Sequence, residues 1–235
     1  MTALAPAAIR RHTDVPPRRE CRVLGVEAVG LYTLLRLERG EVDPGLPGQF
    51  FMLEAPGRLL PRPFSLCLAP EGELVFLLDV VGPGTQALAT VTPGQSIHVL
   101  GPLGNGYDLD VARPLLVAGG IGIAPLPYLA ETLGGAPAVL GFRTLEHAQA
   151  ASLLPGATVV VEPTRVTEAL PAGEYDILAC GPEPMLEALA RLRPGAQLAW
   201  EAPMACGFGA CFGCVVELDG EPRRLCLEGP VLRAA

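Results

Sequence analysis

The stretch 114-PLLVAGGIGIAPLPYLA-130 decides the fold. It is the most apolar run in the chain, yet the pair Gly119–Gly120 and the prolines Pro125 and Pro127 interrupt it. A membrane span needs about 20 apolar residues in a row. The run reads instead as a buried strand, a glycine turn over Gly119, Gly120 and Gly122, and a helix opening near Pro125. Glycines there let a dinucleotide approach the backbone at a helix N-terminus. The spacing departs from G-x-G-x-x-G, so this turn alone does not fix the ligand. A second stretch, 175-YDILACGPEPML-186, repeats the pattern: a strand ends in Cys180-Gly181-Pro182 and leads into a helix. Open parallel sheets bind ligands at the carboxyl ends of their strands, and both turns fall there.

Working outward, PLLVAGG, PAVLGF, ATVVVE and YDILACG alternate as buried strands with helix-compatible stretches, which predicts a parallel-sheet α/β domain over residues 111–198. Upstream, CRVLGVEAV, LYTLLRLER, QFFMLEA, ELVFLLDVV and SIHVLG are short β-prone runs punctuated by Gly and Pro, which predicts an antiparallel β-barrel over residues 21–110. Residues 1–20 are Pro- and Arg-rich and are expected to form a mobile tail. Residues 199–235 return to glycine, cysteine and short strands, a small C-terminal domain. The expected fold is thus multi-domain β and α/β.

A net charge of −8 argues against a nucleic-acid partner, because phosphate binding needs a basic face. All 17 basic residues are arginine, so Schiff-base chemistry and a phosphate-loop lysine are excluded. The N-terminal 20 residues lack an apolar core of signal-peptide length, so a cytoplasmic protein is expected, with no membrane association. In that reducing compartment, clustered cysteines point to metal or redox chemistry more than to disulfides.

Of the seven cysteines, Cys206, Cys211 and Cys214 follow the spacing C-x4-C-x2-C, and Cys226 comes after eleven intervening residues. The first three match plant-type 2Fe–2S spacing. Gly207, Gly209 and Gly213 give the loop room to turn backbone N–H groups toward sulfur. The alternatives are a structural zinc site, which normally shows two separated short-spaced pairs, and a Cys211–Cys214 dithiol, which would precede a helix that the pattern lacks. Cys226 is brought back by the strand-turn-strand VVELDGEPRRLCL, with Asp219-Gly220 as the turn. The remaining cysteines read most simply as core residues, with a second role open to Cys180.

Two further signals lie in the barrel. In 62-RPFS-65 an Arg beside a rigid Pro and a small hydroxyl can clamp a phosphate and bond a polar ring edge, although a turn at a strand edge is the plain reading. In 82-GPGTQALATV-91, Gly84 and Thr85 open a short helical run whose free N–H groups could hold a pyrophosphate.

RPFS, GPGT, GGIGIAP and CGPEPM, in that order, resemble the ferredoxin–NAD(P)H reductase superfamily. With the C-terminal cysteine pattern, 101-GPLGNGY-107 and the closing 229-GPV-231, the chain is similar to the electron-transfer subunits of class 1B dihydroorotate dehydrogenases from about Cys21 to Leu232. The resemblance implies an FAD-binding barrel, an NAD-binding domain and a C-terminal 2Fe–2S domain. It places FAD on Arg62, Pro63, Phe64, Ser65, Gly84 and Thr85, with a middle segment on Leu77, Leu78 and Asp79. Relatives often carry an aromatic and a basic residue in that segment, so Asp79 is a departure. The cluster ligands carry over to Cys206, Cys211, Cys214 and Cys226, and Cys180 and Gly181 to the nicotinamide.

It also implies a partner, an FMN-containing dihydroorotate dehydrogenase catalytic subunit in a heterotetramer with two of each chain. Electrons then run from dihydroorotate through that FMN, the cluster and FAD to NAD, in pyrimidine biosynthesis. Hydride exchange between nicotinamide and flavin needs alignment and shielding rather than an acid or base. The three histidines accordingly occupy no recognisable catalytic setting. Ser65 is the candidate hydroxyl at the flavin's reactive edge and Cys180 the candidate thiol beside the nicotinamide. NAD and NADP are not separated by the residues: Glu162 could take a ribose hydroxyl, while Arg165 could meet a 2′-phosphate. Competing readings are a flavin and iron–sulfur NAD(P)H reductase module of a hydrogenase or sulfur-reductase complex, and a zinc-stabilised binding module without redox activity.

Overall fold

In the computed structural model of the chain, residues 15–218 and 220–234 are described. The first 14 residues of the expected tail, and Asp219 of the expected hairpin turn, lie outside the described residues. The barrel strands are β1 (Arg19–Val29), β2 (Tyr32–Glu38), β3 (Phe50–Leu53), β4 (Arg62–Leu68), β5 (Glu73–Leu78) and β6 (Ser96–Leu103), with helix α1 (Pro83–Ala89) before β6. They close in the order β1-β2-β5-β4-β3-β6. Alternation along the strands sends Phe51, Leu53, Leu66 and Phe76 into the barrel core. Each fully buried leucine or phenylalanine contributes about 1.5–3 kcal/mol.

One barrel strand was not legible as such. The segment RPFS is not a turn beyond a strand edge but the first half of β4. A proline argues against a central strand. However, β4 pairs with β5 only from Leu66 onward, whereas Arg62–Ser65 pairs with β3 alone. Pro63 therefore occupies edge-like backbone, where proline is tolerated.

The second unit runs β7 (Pro114–Gly119), α2 (Leu126–Thr132), β8 (Ala138–Phe142), α3 (Leu145–Ala148), β9 (Thr158–Val161), β10 (Asp176–Cys180), α4 (Glu183–Leu192) and β11 (Gln197–Ala199). A 3-10 turn over Gly120–Ile123 stands between β7 and α2, and Pro125 caps the helix. The chain then makes an excursion through β12 (Val215–Leu218), β13 (Glu221–Arg224) and α5 (Leu225–Glu228) before β14 (Val231–Arg233) returns. The sheet order is β14-β11-β10-β7-β8-β9, parallel except for β14, which is antiparallel to β11. The cysteine-bearing segment is thus inserted between two neighbouring strands of the nucleotide-type sheet.

The two units share one buried layer, in which Tyr32, Cys67 and Leu77 of the barrel meet Leu116 and Leu140 of the sheet and Leu126 of α2. Among the described residues no helix is long and apolar enough to cross a membrane.

Candidate redox site

β4 carries Arg62, Pro63, Phe64 and Ser65. Ser65 pairs with Phe50 and Pro63 with Met52 on β3, so these four side chains share one face of the barrel wall. It is the outer face, because Phe51 and Leu53 fill the interior. The Ser65 side chain is half-buried. Arg62 reaches across to α1, and a Cβ added at Gly84 would stand 2.7 Å from its Nε and 2.9 Å from its Cζ. The guanidinium also donates to the carbonyls of Leu60 at 2.8 Å and Pro61 at 3.2 Å, which fixes its plane. In this position it can present N–H donors to a phosphate beside the opening turn of α1.

Thr85 is engaged inside that turn. Its hydroxyl accepts from the backbone N–H of Val81 at 3.0 Å and Gly82 at 3.1 Å, and donates to the Gly82 carbonyl. Leu77 and Leu78 are buried, one in the layer between the units and the other in the barrel core. Their side chains are committed to packing, so a ligand at this segment meets their backbone; Asp79 just beyond is partly exposed.

The two glycine turns of the sheet meet. A Cβ at Gly122 would stand 2.2 Å from the carbonyl oxygen of Cys180, and one at Gly119 would meet Pro182 and Met185 at 2.8 Å. Glycine is required here by close approach of the two strand ends. Cys180 is buried, and that burial pushes its thiol well above the ordinary range, with the nearby Glu201 carboxylate adding to the rise. It is a neutral thiol rather than a nucleophile. Cys21 and Cys67 are likewise core thiols, pushed up by burial to about 11 and about 12.

A cleft of about 460 Å³ opens beside this second turn, lined by Gly181, Pro182, Glu183, Trp200, Glu201 and the β12 residues Val216–Leu218, among others. Glu201 is exposed at the cleft, yet the protein packed around its carboxyl desolvates it and raises it. Trp200 and Glu201 received no role from sequence reasoning; their position directly after the strand that follows CGPEPM was the available signal. Glu162 and Arg165 are exposed and lie just beyond β9, the outer strand of the sheet. The ribose-reading position of dinucleotide folds falls about 20 residues past the glycine turn. Here that is the end of β8, where exposed Arg143 stands.

The four cysteines of the excursion come together in two pairs of different character. Cys214 and Cys226 are buried with their sulfurs 3.1 Å apart, and they pack with Phe50, Met52 and Leu103 of the barrel. Cys206 and Cys211 lie outward, and backbone N–H groups are turned on them: Ala210 and Cys211 on Cys206 Sγ at 3.3 and 3.4 Å, and Gly213 on Cys211 Sγ at 3.5 Å. The Gly213 and Cys206 donors hold the Cys211 thiol down to about 7. Burial and the neighbouring Cys214 push Cys226 up to about 12.

No three or more His, Cys, Asp or Glu among the described residues converge on one metal position. Two pairs suit a 2Fe–2S cluster, which needs two thiolates at each of two irons, better than a zinc ion, which needs four around one point. N–H groups aimed at sulfur are also what a bridged sulfide–thiolate cluster calls for. The residues fit that cluster. Gly207 takes φ +78°, and a Cβ on it would meet Met52 Cγ at 2.6 Å. The cysteine loop therefore lies directly on the barrel face that Ser65 shares.

A barrel whose Arg62 can meet a phosphate, a parallel sheet with two joined glycine turns and a loop of four cysteines fit a ferredoxin-reductase-like oxidoreductase using FAD, a 2Fe–2S cluster and NAD. Comparison with known proteins narrows the class. Residues 201–235 match the iron-sulfur cluster binding domain of dihydroorotate dehydrogenase B. The chain is 40% identical over 221 residues to the dihydroorotate dehydrogenase B (NAD(+)) electron transfer subunit of Bacillus caldolyticus, covering 80% of this chain and 85% of that one. The Clostridium perfringens subunit is 33% identical over 223 residues, covering 86% and 89%.

Among solved structures, an NADH-dependent reduced ferredoxin-NADP oxidoreductase superposes with TM-score 0.74 at 23% identity, over 91% of this chain and 88% of that one. Phthalate dioxygenase reductase does so with TM-score 0.61 at 14% identity, over 84% and 85%. The chain belongs to the family of dihydroorotate dehydrogenase B (NAD(+)) electron transfer subunits.

Proposed function

We propose that this chain passes electrons from the FMN of a dihydroorotate-oxidising catalytic subunit to NAD, in a cytoplasmic complex of two copies of each chain. The observation that carries the reading is the shared barrel face: Ser65 stands directly across from Phe50, and Phe50 packs in the same buried cluster as Cys214 and Cys226. A flavin edge at Ser65 and a cluster on Cys206, Cys211, Cys214 and Cys226 then occupy adjoining tracts of one surface.

When bound, FAD interconverts a two-electron hydride and single electrons, and the 2Fe–2S cluster carries electrons one at a time. The chain's own residues align and shield. Arg62 would hold the flavin phosphates beside Gly84, with the backbone of Leu77–Asp79 available to the same group. Pro63 and Phe64 set the strand on which Ser65 offers a hydroxyl to the ring edge. Gly119, Gly120 and Gly122 admit the nucleotide backbone, and Cys180, Gly181 and Pro182 form the wall for the nicotinamide. Cys180 remains neutral, so it contributes shape and a weak S–H donor rather than charge. No proton-transfer residue is required.

The cluster loop is polarised. Its buried pair faces the flavin side, and its outward pair, Cys206 and Cys211, faces the partner. The test is co-expression with the catalytic subunit, followed by assay of dihydroorotate oxidation with NAD and with NADP. NAD-linked turnover by a complex containing FMN, FAD and iron is expected. Turnover only with a hydrogenase- or sulfur-reductase-type partner, or a colourless zinc-containing product, contradicts the proposal.

A further inference from the structure

The turn that leaves the barrel, Gly104–Asp108, bonds both the segment after Cys226 and the strand end before Cys180 while belonging to none of the ligand-binding segments. Its root is fixed to the barrel: buried Gln49 donates from Nε2 to the Gly104 carbonyl at 2.7 Å, and the Tyr107 N–H donates to the Pro47 carbonyl at 2.8 Å. From this root two arms extend in different directions.

The first arm is Asn105. Its side-chain amide donates to the carbonyls of Leu227 at 3.2 Å and Glu228 at 2.9 Å, and its backbone N–H donates to the Gly229 carbonyl at 2.6 Å. These carbonyls are those of the residues that directly follow Cys226. The second arm is Tyr107, whose buried hydroxyl donates to the Ala179 carbonyl at 3.0 Å. Ala179 directly precedes Cys180, where the sheet's second glycine turn begins. Asp108 completes the seat by exchanging two hydrogen bonds with the Gln197 side chain on β11, at 2.7 and 2.8 Å.

We propose that Gly104–Asp108 is a two-armed spacer in which Asn105 and Tyr107 act as positioning residues, Asn105 setting the cluster against the barrel and Tyr107 setting the nicotinamide turn against it. The proposal rests on the electron-transfer reading above. Each arm bonds main-chain carbonyls one to three residues from a functional cysteine, so small displacements are transmitted directly. The arms are also independent, since they leave the turn two residues apart and end on different segments. Other contacts hold the units together, among them the Tyr128 hydroxyl on the Gly45 carbonyl at 2.9 Å. Losing one arm therefore loosens one segment rather than separating the domains. Misplacement by about 1 Å far from the chemistry can slow a step about a hundredfold.

The test compares Asn105→Asp, which keeps size but removes the amide donors, with Tyr107→Phe, which keeps the ring packed and removes one hydroxyl. Hydrogen exchange is measured on the purified, cofactor-loaded protein, together with two rapid-mixing rates: flavin reduction by NADH, and the later appearance of the reduced-cluster signal. Asn105→Asp is expected to raise exchange over residues 226–230 and to slow cluster reduction about tenfold or more, with flavin reduction within about twofold of the parent. Tyr107→Phe is expected to do the reverse, raising exchange over 178–182 and slowing flavin reduction alone.

Both variants slowing both steps equally, or neither altering local exchange, overturns the proposal. Should Asn105→Asp lose the cluster, Asn105→Ser, which keeps one donor, must show the same selective slowing or the Asn105 arm is wrong. Failure of the parent protein to reduce its flavin with NADH would count against the functional reading instead, because the exchange pattern tests the spacer separately.

Discussion

The guanidinium of Arg62 occupies the space that a side chain at Gly84 would need, with Nε 2.7 Å from the position of a Cβ there. The two residues are 22 positions apart, on β4 and α1, and form one surface that can receive a phosphate. Gly84→Ala is expected to displace the guanidinium, and Arg62→Ala to remove it. A hydrogen bond to a charged group contributes about 1.5–3 kcal/mol, so FAD binding should weaken about 10- to 100-fold in Arg62→Ala. Gly84→Ala should weaken it in the same direction, with 2Fe–2S content unchanged in both. Flavin-to-protein ratios and fluorescence titration of flavin-free protein measure this; unchanged flavin affinity in Arg62→Ala removes the phosphate role.

In cluster-free protein the cysteines should differ sharply in reactivity. Cys211 is lowered from 9.0 to about 7, so its thiolate fraction rises as pH passes about 7, whereas Cys226 and Cys67, both near 12, remain thiols. Iodoacetamide labelling mapped by mass spectrometry between pH 6 and about 9 should label Cys211 first, with a midpoint near 7. Equal labelling of Cys211 and Cys67 contradicts the N–H pattern around the loop.

Gly207→Ala is expected to destabilise the cluster loop. The left-handed backbone at φ +78° costs a non-glycine residue about 1–2 kcal/mol, and contact with Met52 adds about 1–3 kcal/mol. Thermal melting of the holo-protein and its iron content should both fall, with flavin retained.

Phe212 takes φ +59°, is 61% exposed and lies under the Arg224 guanidinium at 5.0 Å, between two cluster cysteines. If the proposed complex forms through the cysteine loop, this strained, exposed aromatic side chain is positioned to contact the catalytic subunit. Phe212→Gly relieves about 1 kcal/mol or more of strain and forfeits about 0.5–1 kcal/mol of cation–π contact. The isolated chain should therefore melt almost as before. Affinity for the catalytic subunit should drop, as read by size-exclusion or calorimetric titration. Unchanged affinity removes Phe212 from the interface.

The apolar strands and glycine turns were readable because their periodicity and spacing are local. The run from Leu115 to Val117 is buried, and the turn over Gly120–Ile123 follows it. The C-x4-C-x2-C loop was readable for the same reason. β4 was hidden by Pro63, because its one-sided pairing depends on the register of β5. The return of β14 to the sheet and the docking of Asn105 on the segment after Cys226 link residues more than 30 and 120 positions apart, respectively. No local pattern encodes contacts at such separations. The resemblance puts Leu77 and Leu78 at a flavin; alternation buries their side chains on opposite sides of the barrel wall, which leaves their backbone for that role. Glu201 carries no motif of its own; only its place after the strand that follows CGPEPM marks it, and the packing of β11 against β10 is what brings it near Cys180.

In the proposed route this single chain links a nicotinamide to an iron–sulfur cluster through a flavin on one barrel face. Anaerobic addition of NADH to the purified holo-protein, followed by flavin absorbance and low-temperature electron paramagnetic resonance, tests it most directly. Bleaching of the flavin is expected, followed by the signal of a reduced 2Fe–2S cluster, which is abolished in Cys226→Ser while flavin bleaching persists. A bleached flavin with an intact cluster that never accepts an electron, in the protein alone and in its complex, would contradict it.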